Sequence, residues 1–578
     1  MTTHPHAVIG IVGLGTVGEA LLRLAHRAGH RIVAVDTDLD ALARVGNRLK
    51  SGSFAAEPVF TDDVAALADA TVVVEAAPDD LATKTELLRR VGGICRAPMV
   101  TTTSALSVPH LAIASGRPES VAGLRFLVPP RSGGTVEPVS TALTSPSMAA
   151  AVDGLIDELG LTRVTIGAGP AADATALVMA YLNRSVAFLA DGHSTRDDID
   201  TAMRLGCGLP TGPLQLLDSI GLDTVHGILT GLHRQTGDAA FSPAPLLTRM
   251  IGSGRLGCKS GEGFYTYDDE GTAARDGSAD ADPPASVPRP VRTVAVVGSG
   301  AMARGIAEVT ATAGHPTVLV TRSREKAETA LAAIFESLTR AVRRGRITAQ
   351  QKAAALPLLT DATTLRAAAD CDLIIEAVVE DLDVKRGLFA QLGTIAGPDA
   401  ILATTTSSLS VTACGEAAGR HADMVGMHFF NPAPVLRLVE LVRTDSTSDA
   451  VFDRARAFAT GLGKTTVTCP DRAGFIVNCL LFPYLGAAVN LLERPGIDIE
   501  ATDEAIQNGY GFPMGPFALL DTIGLDVSLA IQHRLFDQLA RPEHRPAPLL
   551  EALVAAGALG RKNGAGFRTA GRRRNSAL

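Results

Sequence analysis

The sequence lacks the features that would place it in several specialised classes of protein. Its 53 basic and 61 acidic residues give a net charge of −8, so it carries no basic footprint for nucleic acid or an anionic membrane. The seven cysteines (95, 207, 258, 371, 414, 469 and 479) contain no CxxC pair and no metal-ligand spacing, so we expect reduced thiols and no metal site. Apolar runs such as residues 72–74 and 373–375 have the length of strands and are too short to span a membrane. Residues 1–6 do not have the pattern of a signal peptide. We therefore expect a soluble, cytoplasmic protein.

The chain contains an internal repeat. His428 lies 303 residues after Arg125 (428 less 125), and further pairs share this offset over more than a hundred residues, which excludes chance. Between the opening glycine turns the offset is only 285 (Gly298 less Gly13), so the second copy carries 18 extra residues (303 less 285) after its turn. With 578 residues the chain is too long for one core, and so long a repeat indicates duplicated multi-domain units.

Each copy begins with buried strands that alternate with helical patterns, and it ends with helices alone. Continuous apolar strands between helices predict a parallel sheet covered on both faces. We therefore predict α/β plus all-α architecture, with a Rossmann-type domain followed by a helical domain in each of two tandem units. The predicted ranges are 1–167 and 168–267 for copy one, 268–290 for a linker rich in Asp, Ala, Gly, Ser and Pro, and 291–470 and 471–578 for copy two.

A glycine-rich turn between the first strand and the first helix of each copy is the fingerprint of a dinucleotide site. The glycines let the backbone approach a pyrophosphate at the positive N-terminus of the helix. In copy one Asp36 ends the second strand, where a carboxylate would bind the adenosine ribose hydroxyls. The residues expected at the cofactor are Gly13, Gly15, Gly18 and Asp36 in copy one, and Gly298, Gly300, Ala301 and Met302 in copy two.

Copy two departs from copy one at the ribose position. The 285 offset places Thr321 where Asp36 stands, and Arg322 follows it. Loss of the acid and gain of a guanidinium favour a 2′-phosphate and therefore NADP. The alternative is that the arginine belongs to a solvated loop and that NAD still binds, so the cofactor is expected to be NAD or NADP.

His428 and Glu440 are the candidates for catalysis. Oxidation of a secondary alcohol needs a base for the hydroxyl proton while a nicotinamide takes the hydride. A histidine held by a carboxylate suits this task, because the carboxylate fixes the tautomer and stabilises the imidazolium. If His428 ends one strand and Glu440 lies on the next, a turn at Asn431 and Pro432 could bring them together.

Several motifs of copy two together resemble the L-3-hydroxyacyl-CoA dehydrogenase family, including bacterial 3-hydroxybutyryl-CoA dehydrogenases. They are the glycine turn, Glu380 with Lys385, residues 406–409, 426–432, 474–478, 511–515 and 559–562. The resemblance implies His428 as general acid/base with Glu440 as its partner, and Ser407 and Asn478 as ligands of the substrate oxygens. It also implies substrate contact at Asn431, and a place at the cofactor for Glu380 and Lys385.

Much of the 18-residue excess lies in a basic segment containing Arg343, Arg346 and Lys352. In the family that copy two resembles, this region is a helical hairpin that contacts CoA, and a basic cluster suits CoA phosphates. A charged helix that only faces solvent is the alternative for any one of these residues.

Copy one has lost the chemistry that copy two keeps. It retains Ser104 and Glu137 but has Arg125, Val128 and Thr175 in place of the histidine and two asparagines, and arginine cannot act as a base. We expect copy one to be inactive, though it could still hold a dinucleotide. The resemblance to the family implies dimerisation through the helical domains. We therefore expect the two copies to form an internal pseudo-dimer, and the fused chain to be a monomer or a homodimer.

The leading functional hypothesis is reversible oxidation of (S)-3-hydroxyacyl-CoA to 3-oxoacyl-CoA, a reaction of fatty acid metabolism. A 3-hydroxyacyl carrier protein or a free hydroxy acid is an alternative substrate. A non-catalytic dinucleotide-binding protein is the third hypothesis, which fits copy one but not the intact set in copy two. The acyl chain length and the physiological direction remain open at this point.

Overall fold

The computed structural model describes residues 7–49, 57–103, 106, 108–126, 129–141, 143–163, 170–268, 273, 289–494 and 496–568. Most of the predicted linker, together with Ser104 and Val128, lies outside these residues. Within the described part of the chain, no helix is long and apolar enough to cross a membrane.

Copy one begins with an eight-stranded sheet and five helices that flank it. The strands are β1 Val8–Val12, β2 Arg31–Val35, β3 Val59–Thr61, β4 Val72–Glu75, β5 Met99–Thr101, β6 Val121–Arg125, β7 Thr135–Val139 and β8 Thr162–Arg163. The helices are α1 Thr16–Arg27, α2 Leu39–Leu49, α3 Leu81–Ile94, α4 Val108–Ala114 and α5 Pro146–Glu158. The helical domain that follows consists of α6 Pro170–Ala190, α7 Arg196–Cys207, α8 Pro213–Ile220, α9 Leu222–Thr236 and α10 Pro245–Gly252.

Copy two repeats this plan with one addition, a helical hairpin after its second strand. The strands are β9 Val294–Val297, β10 Thr317–Val320, β11 Leu359–Ala362, β12 Leu373–Glu376, β13 Ile401–Thr404, β14 Met424–Phe429, β15 Leu438–Arg443 and β16 Thr465–Pro470. The helices are α11 Ala301–Thr312, the hairpin α12 Arg324–Arg343 and α13 Ala349–Ala355, then α14 Leu382–Ile395, α15 Val411–Ala418 and α16 Asp449–Gly461. The second helical domain consists of α17 Val477–Leu491, α18 Ile499–Tyr510, α19 Pro516–Ile523, α20 Leu525–Leu539 and α21 Pro548–Ala555.

The two sheets have the same topology. Their strand orders are β3-β2-β1-β4-β5-β6-β7-β8 and β11-β10-β9-β12-β13-β14-β15-β16. All neighbouring pairs are parallel except β6 with β7 and β14 with β15, which are antiparallel. The central strands are buried along their whole length, as a sheet covered on both faces requires. The predicted architecture is confirmed, and the antiparallel step proves important because it carries the candidate site.

The hairpin of copy two is well specified by its ends. Ser323 caps α12 by accepting the backbone N–H of Lys326, and Thr348 and Gln351 form a reciprocal capping box at α13. Gly345 has a left-handed φ of 68° in the turn between the helices, a conformation that favours glycine. The 18-residue excess of copy two is therefore an ordered helical element.

The helical domains of the two copies pack against each other through equivalent surfaces. Helix α6 lies against α17 and α18, and side chains of both domains belong to one continuous hydrophobic core. Tyr181 and Tyr484, which are 303 residues apart, face each other with ring centroids 5.8 Å apart. Contact between equivalent residues is the signature of an isologous interface, so the single chain contains a pseudo-dimeric arrangement.

Candidate functional site

His428 and Glu440 are direct partners in the antiparallel pair β14–β15. The Nδ1 atom of His428 lies 2.6 Å from Oε2 of Glu440, and Glu440 is completely buried. A carboxylate at this distance favours a proton on Nδ1 and leaves Nε2 available for another partner. The rings of Phe430 and Phe475 lie 4.5 and 5.7 Å from the imidazole, centroid to centroid, so they restrict its position from two sides.

The second oxygen of Glu440 is held by the start of helix α17. Its Oε1 accepts the backbone N–H groups of Ile476 at 3.0 Å and Val477 at 2.9 Å. These groups are among the donors that a helix N-terminus leaves without intrahelical partners, and they favour a negative charge. The buried carboxylate therefore has three partners, and the fixed ring orientation of His428 follows from them.

Ser407 and Asn478 lie together with Glu380 at the carboxyl end of the parallel strands. Oε1 of Glu380 accepts the backbone N–H of Ser407 at 2.8 Å, its hydroxyl at 3.1 Å and the hydroxyl of Thr406 at 2.7 Å. The amide nitrogen of Asn478 donates to the carbonyl oxygen of Ser407 at 3.3 Å. This network joins the sheet to α17, the helix whose N-terminus holds Glu440.

Lys385 is more deeply buried than the sequence indicated. Its ammonium lies 2.7 and 2.8 Å from the two carboxylate oxygens of Glu376 and 3.4 Å from Glu380. Burial raises the pKa of the Glu380 carboxyl, but the charge of Lys385 and the hydrogen bonds from Thr406 and Ser407 outweigh it and lower that pKa. Glu380 therefore remains an acceptor for Ser407.

Glu376 is a site residue that the sequence reasoning missed. It ends β12 and also accepts the hydroxyl of Thr404 at 2.7 Å. Copy one contains the same arrangement, in which Lys84 lies 2.8 Å from Glu75. A glutamate and a lysine nine residues apart in both copies were the available signal (385 less 376, and 84 less 75).

The glycine turn of copy two opens onto a cleft of about 830 Å³. Gly298 has a φ of 143°, and a Cβ there would lie 2.3 Å from the carbonyl oxygen of Ala377, whereas a Cβ on Gly300 would meet no atom within 4 Å. The open space at the start of α11 leaves room for a pyrophosphate, so these residues fit a dinucleotide. Six of the cofactor residues predicted in copy two line the cleft: Gly298, Gly300, Ala301, Met302, Thr321 and Arg322. Glu380 and Lys385 do not line it.

The ribose end of this cleft is basic. Thr321, which occupies the position of Asp36 in copy one, is buried and donates its hydroxyl to the carbonyl oxygen of Ser323 at 2.9 Å. Arg322 and Lys326 are exposed and line the same part of the cleft. Two cationic side chains therefore lie near Thr321, and Asp383 also lines the cleft.

A second cleft, of about 630 Å³, lies between α11, α12 and the loop that follows β14. Its basic lining residues are Arg304, Arg340, Arg344, Arg346 and Lys464, and Asn431 also lines it. Of the three basic residues predicted to contact CoA, only Arg346 lines this cleft. The ammonium of Lys352 donates to Thr339 at 2.7 Å and lies 3.9 Å from the ring centroid of Phe335, so it stabilises the hairpin.

Lys464 supports the loop that carries Asn431. Its ammonium donates to the carbonyl oxygens of Ala433 at 2.5 Å and Leu436 at 2.7 Å. Burial, followed by the nearby charge of Arg437, lowers the pKa of Lys464 to about 8. The loop is thus held from inside the protein by a lysine that the sequence gave no reason to select.

In copy one the equivalent of the His428–Glu440 pair is a salt bridge. Nη1 of Arg125 lies 2.9 Å from Oε2 of Glu137, so the carboxylate still has a partner but no base is present. Both carboxylate oxygens of Asp36 accept backbone N–H groups, from Leu14 at 2.6 Å and Asp38 at 2.9 Å.

Two models of protein domain families match the chain, and each matches it twice. The NAD-binding domain of 3-hydroxyacyl-CoA dehydrogenase matches residues 8–169 and 293–472. The C-terminal domain of 3-hydroxyacyl-CoA dehydrogenase matches residues 174–267 and 474–570. Together these matches cover most of both copies.

Individual relatives match about half of the chain. A 3-hydroxybutyryl-CoA dehydrogenase of Mycobacterium tuberculosis is 44% identical over 285 residues, which are 48% of this chain and 98% of the relative. The human mitochondrial hydroxyacyl-coenzyme A dehydrogenase is 41% identical over 284 residues, which are 48% of this chain and 90% of the relative. A crystal structure of (S)-3-hydroxybutyryl-CoA dehydrogenase from Ralstonia eutropha is 38% identical, covering 49% of this chain and 100% of that chain with a TM-score of 0.48. This chain is about twice as long as the two relatives compared by sequence.

Proposed function

The chain belongs to the 3-hydroxyacyl-CoA dehydrogenase family, and from that premise we propose that copy two interconverts (S)-3-hydroxyacyl-CoA and 3-oxoacyl-CoA with a nicotinamide cofactor. The observation that carries the proposal is the 2.6 Å contact between His428 Nδ1 and the buried Glu440 carboxylate. Because the position of His428 is taken by Arg125 in copy one, we assign the reaction to copy two alone.

His428 moves the proton in this reaction. In the oxidative direction Nε2 takes the proton of the C3 hydroxyl, and Glu440 stabilises the imidazolium that forms. The bound nicotinamide supplies the hydride chemistry at C3. In the reductive direction the imidazolium returns its proton to the C3 oxygen. Ser407 and Asn478 bind the C3 and thioester oxygens and thereby orient the substrate.

The basic cleft would hold the phosphates of CoA. Arg344 and Arg346 are exposed at its edge, and their planar guanidinium groups suit phosphate oxygens. Arg343 and Lys352, which the sequence also suggested, contribute less in this proposal, because neither lines the cleft. This cleft favours CoA over a free hydroxy acid, which has no phosphate.

The glycine turn of copy two would bind the dinucleotide, and we propose a preference for NADP. The absence of an acid at Thr321 removes the repulsion of a 2′-phosphate, and Arg322 and Lys326 supply positive charge in the same part of the cleft. In copy one Gly13, Gly15 and Gly18 keep the turn, and Asp36 would favour NAD if that site binds a dinucleotide.

Acetoacetyl-CoA tests the reaction directly. The protein is mixed with acetoacetyl-CoA and either NADH or NADPH, and consumption of the reduced cofactor is followed by absorbance. We expect consumption with both cofactors and a higher kcat/KM with NADPH. Failure to consume either cofactor would exclude the proposed dehydrogenase activity.

Replacement of Thr321 tests the cofactor preference separately. Thr321→Asp should raise the KM for NADPH by about ten-fold or more, because a carboxylate would repel the 2′-phosphate. It should also lower the KM for NADH, since the new carboxylate can bind the ribose hydroxyls. The measurement is the ratio of kcat/KM for the two cofactors, and an unchanged ratio would contradict a role for position 321.

A further inference from the structure

Helix α7 of copy one lies against the active-site strands of copy two. It contacts both β15 and β16, and the hydroxyl of Ser194, just before α7, donates to the carbonyl oxygen of Thr468 at 3.0 Å. Cys207, the last residue of α7, is half-buried, and burial followed by the charge of Glu440 raises the pKa of its thiol to about 12. Copy one therefore contacts the strands of copy two that form one side of the candidate site.

Gly206 is the point of closest approach. A Cβ on Gly206 would lie 2.9 Å from Cγ2 of Val477, 3.0 Å from Cδ2 of Leu438 and 3.5 Å from Cε1 of Phe430. Real Cβ atoms do not approach neighbours within 3.0 Å, so any side chain here must displace Val477 or the helix itself. The glycine lets α7 pack directly onto these three side chains.

All three neighbours of Gly206 are connected to the catalytic pair. The backbone N–H of Val477 donates to Glu440, Leu438 lies two residues before Glu440 on β15, and the ring of Phe430 lies 4.5 Å from the imidazole of His428. A shift of any one of them would change the position of the carboxylate or of the ring. Helix α7 thus packs against the three residues that hold the His428–Glu440 pair in position.

We propose that Gly206 of copy one is a positioning residue for the His428–Glu440 pair, so that the degenerate copy sets the geometry of the active site in copy two. The proposal rests on the proposed function, because it assumes that this pair performs the proton transfer. Copy one would then be retained for catalysis as well as for stability, although it has no base of its own.

The chain supplies a matched control. Gly509 of α18 lies 303 residues after Gly206 (509 less 206), and both glycines lie near the C-terminal ends of their helices, Gly509 buried and Gly206 half-buried. Helix α18 belongs to copy two and contacts α6 of copy one. In copy one Arg125 occupies the position of His428. The same substitution at the two glycines therefore introduces the same methyl group into equivalent helices, but only one of them adjoins His428 and Glu440.

The experiment compares Gly206→Ala and Gly509→Ala in the full-length protein. The melting temperature, kcat, and the KM values for acetoacetyl-CoA and the reduced cofactor are measured for both. We expect Gly206→Ala to lower kcat by about ten-fold, since displacements well below 1 Å at a catalytic centre have effects of this order. The KM for the cofactor should not change, and Gly509→Ala should keep the wild-type kcat.

Removal of the obstructing methyl groups should reverse the effect. Val477→Ala keeps the backbone N–H that binds Glu440 but deletes Cγ2, so Gly206→Ala/Val477→Ala should regain part of the kcat lost in Gly206→Ala. If Gly206→Ala does not fold, the double variant is compared with Val477→Ala alone, and a lower kcat in the double variant is expected. A folded Gly206→Ala protein, or double variant, with an unreduced kcat would overturn the inference. Inactivity of the wild-type protein would instead overturn the proposed function.

Discussion

At the scale of single residues, positions 428 and 125 differ in whether they can exchange a proton. Both pair with a buried glutamate at the equivalent place, His428 with Glu440 at 2.6 Å and Arg125 with Glu137 at 2.9 Å. The pairing conserves the packing of the antiparallel strands in both copies. Of these two side chains only the imidazole can also act as a base near neutral pH, as the reaction proposed for copy two requires.

Substitution of these two residues separates their roles. His428→Gln should lower kcat by about 10²- to 10⁴-fold, because that is the usual contribution of a general acid/base. Arg125→Gln makes the matched change in copy one and should leave kcat within about two-fold of wild type. Steady-state reduction of acetoacetyl-CoA measures both variants. Equal losses of kcat would contradict the assignment of the reaction to copy two.

Single residues also show how far the sequence could lead. The pairing of His428 with Glu440 was expected from the resemblance to the family, and the local pattern allowed it, because a turn at Asn431 could join two strands. The buried pair of Glu376 and Lys385 was not expected, because Glu376 only ends an apolar strand. Its burial depends on a lysine from the next helix, and such a tertiary contact leaves little trace in the local sequence.

At the scale of elements, the hairpin α12–α13 distinguishes the two copies most clearly. The 18 extra residues located this element, and the resemblance to the family implied that it is a helical hairpin. The sequence did not indicate which basic side chains face the cleft, because this depends on the packing of α12 against α11. Arg344 and Arg346 line the cleft, whereas Lys352 contacts Thr339 and Phe335 within the hairpin.

Loss of these arginines should weaken CoA binding. A hydrogen bond to a charged group contributes about 1.5–3 kcal/mol, so Arg344→Ala/Arg346→Ala should raise the KM for acetoacetyl-CoA by about ten-fold or more. The KM for acetoacetyl-N-acetylcysteamine, which has no phosphate, should not change. Arg343→Ala serves as the matched control and should have little effect. An equal rise for both substrates would show that the arginines do not bind the phosphates.

His544 makes a turn of the second helical domain sensitive to acid. Burial, followed by the charge of Arg184 from copy one, lowers the pKa of His544 to about 4 from 6.5. The folded protein therefore binds fewer protons than the unfolded chain between these pH values. Above pH 6.5 His544 does not lower the free energy of unfolding. As the pH falls toward 4, this free energy decreases by up to about 3 kcal/mol, because the unfolded chain takes up a proton that the folded protein does not.

Thermal unfolding at a series of pH values tests this expectation. The melting temperature of His544→Gln should fall less steeply than that of wild type between about pH 6.5 and about pH 4.5. His421→Gln, at an exposed position, provides the control and should follow the wild-type profile. Parallel profiles for His544→Gln and wild type would show that His544 does not contribute to the pH dependence.

At the scale of the whole molecule, the two copies contact each other through their helical domains. Tyr181 and Tyr484 meet at the centre, and Arg494 of copy two lies 2.9 Å from Asp173 of copy one. This arrangement was predicted from the resemblance to a family of dimers joined by helical domains, together with the helical motifs that both copies keep. The sequence did not predict that Gly206 of copy one would pack against Leu438 and Val477 of copy two, since the two segments are more than 200 residues apart.

Removal of copy one tests this dependence. Deletion of residues 1–285 would expose the apolar faces of α17 and α18. It would also expose Tyr484 of α17 and Phe512, just after α18, which now contact Tyr181. We expect the remaining protein to aggregate or to form a new homodimer, because a monomer would leave a large apolar patch in water. Size-exclusion chromatography with light scattering measures the outcome. A stable and fully active monomer would contradict the pseudo-dimer proposal.

A homodimer formed by this truncation would also have an altered active site. Each copy-two unit would then meet a second α18 in the place of α7, so Tyr510 would stand in the position of Cys207, 303 residues earlier (510 less 207). A tyrosine is larger than a cysteine, and overpacking next to a buried pair displaces its neighbours. We therefore expect the truncated dimer to have a lower kcat than the full-length chain. Addition of separately produced residues 1–285 should restore kcat if α7 has the role inferred above, because the original interface could form again.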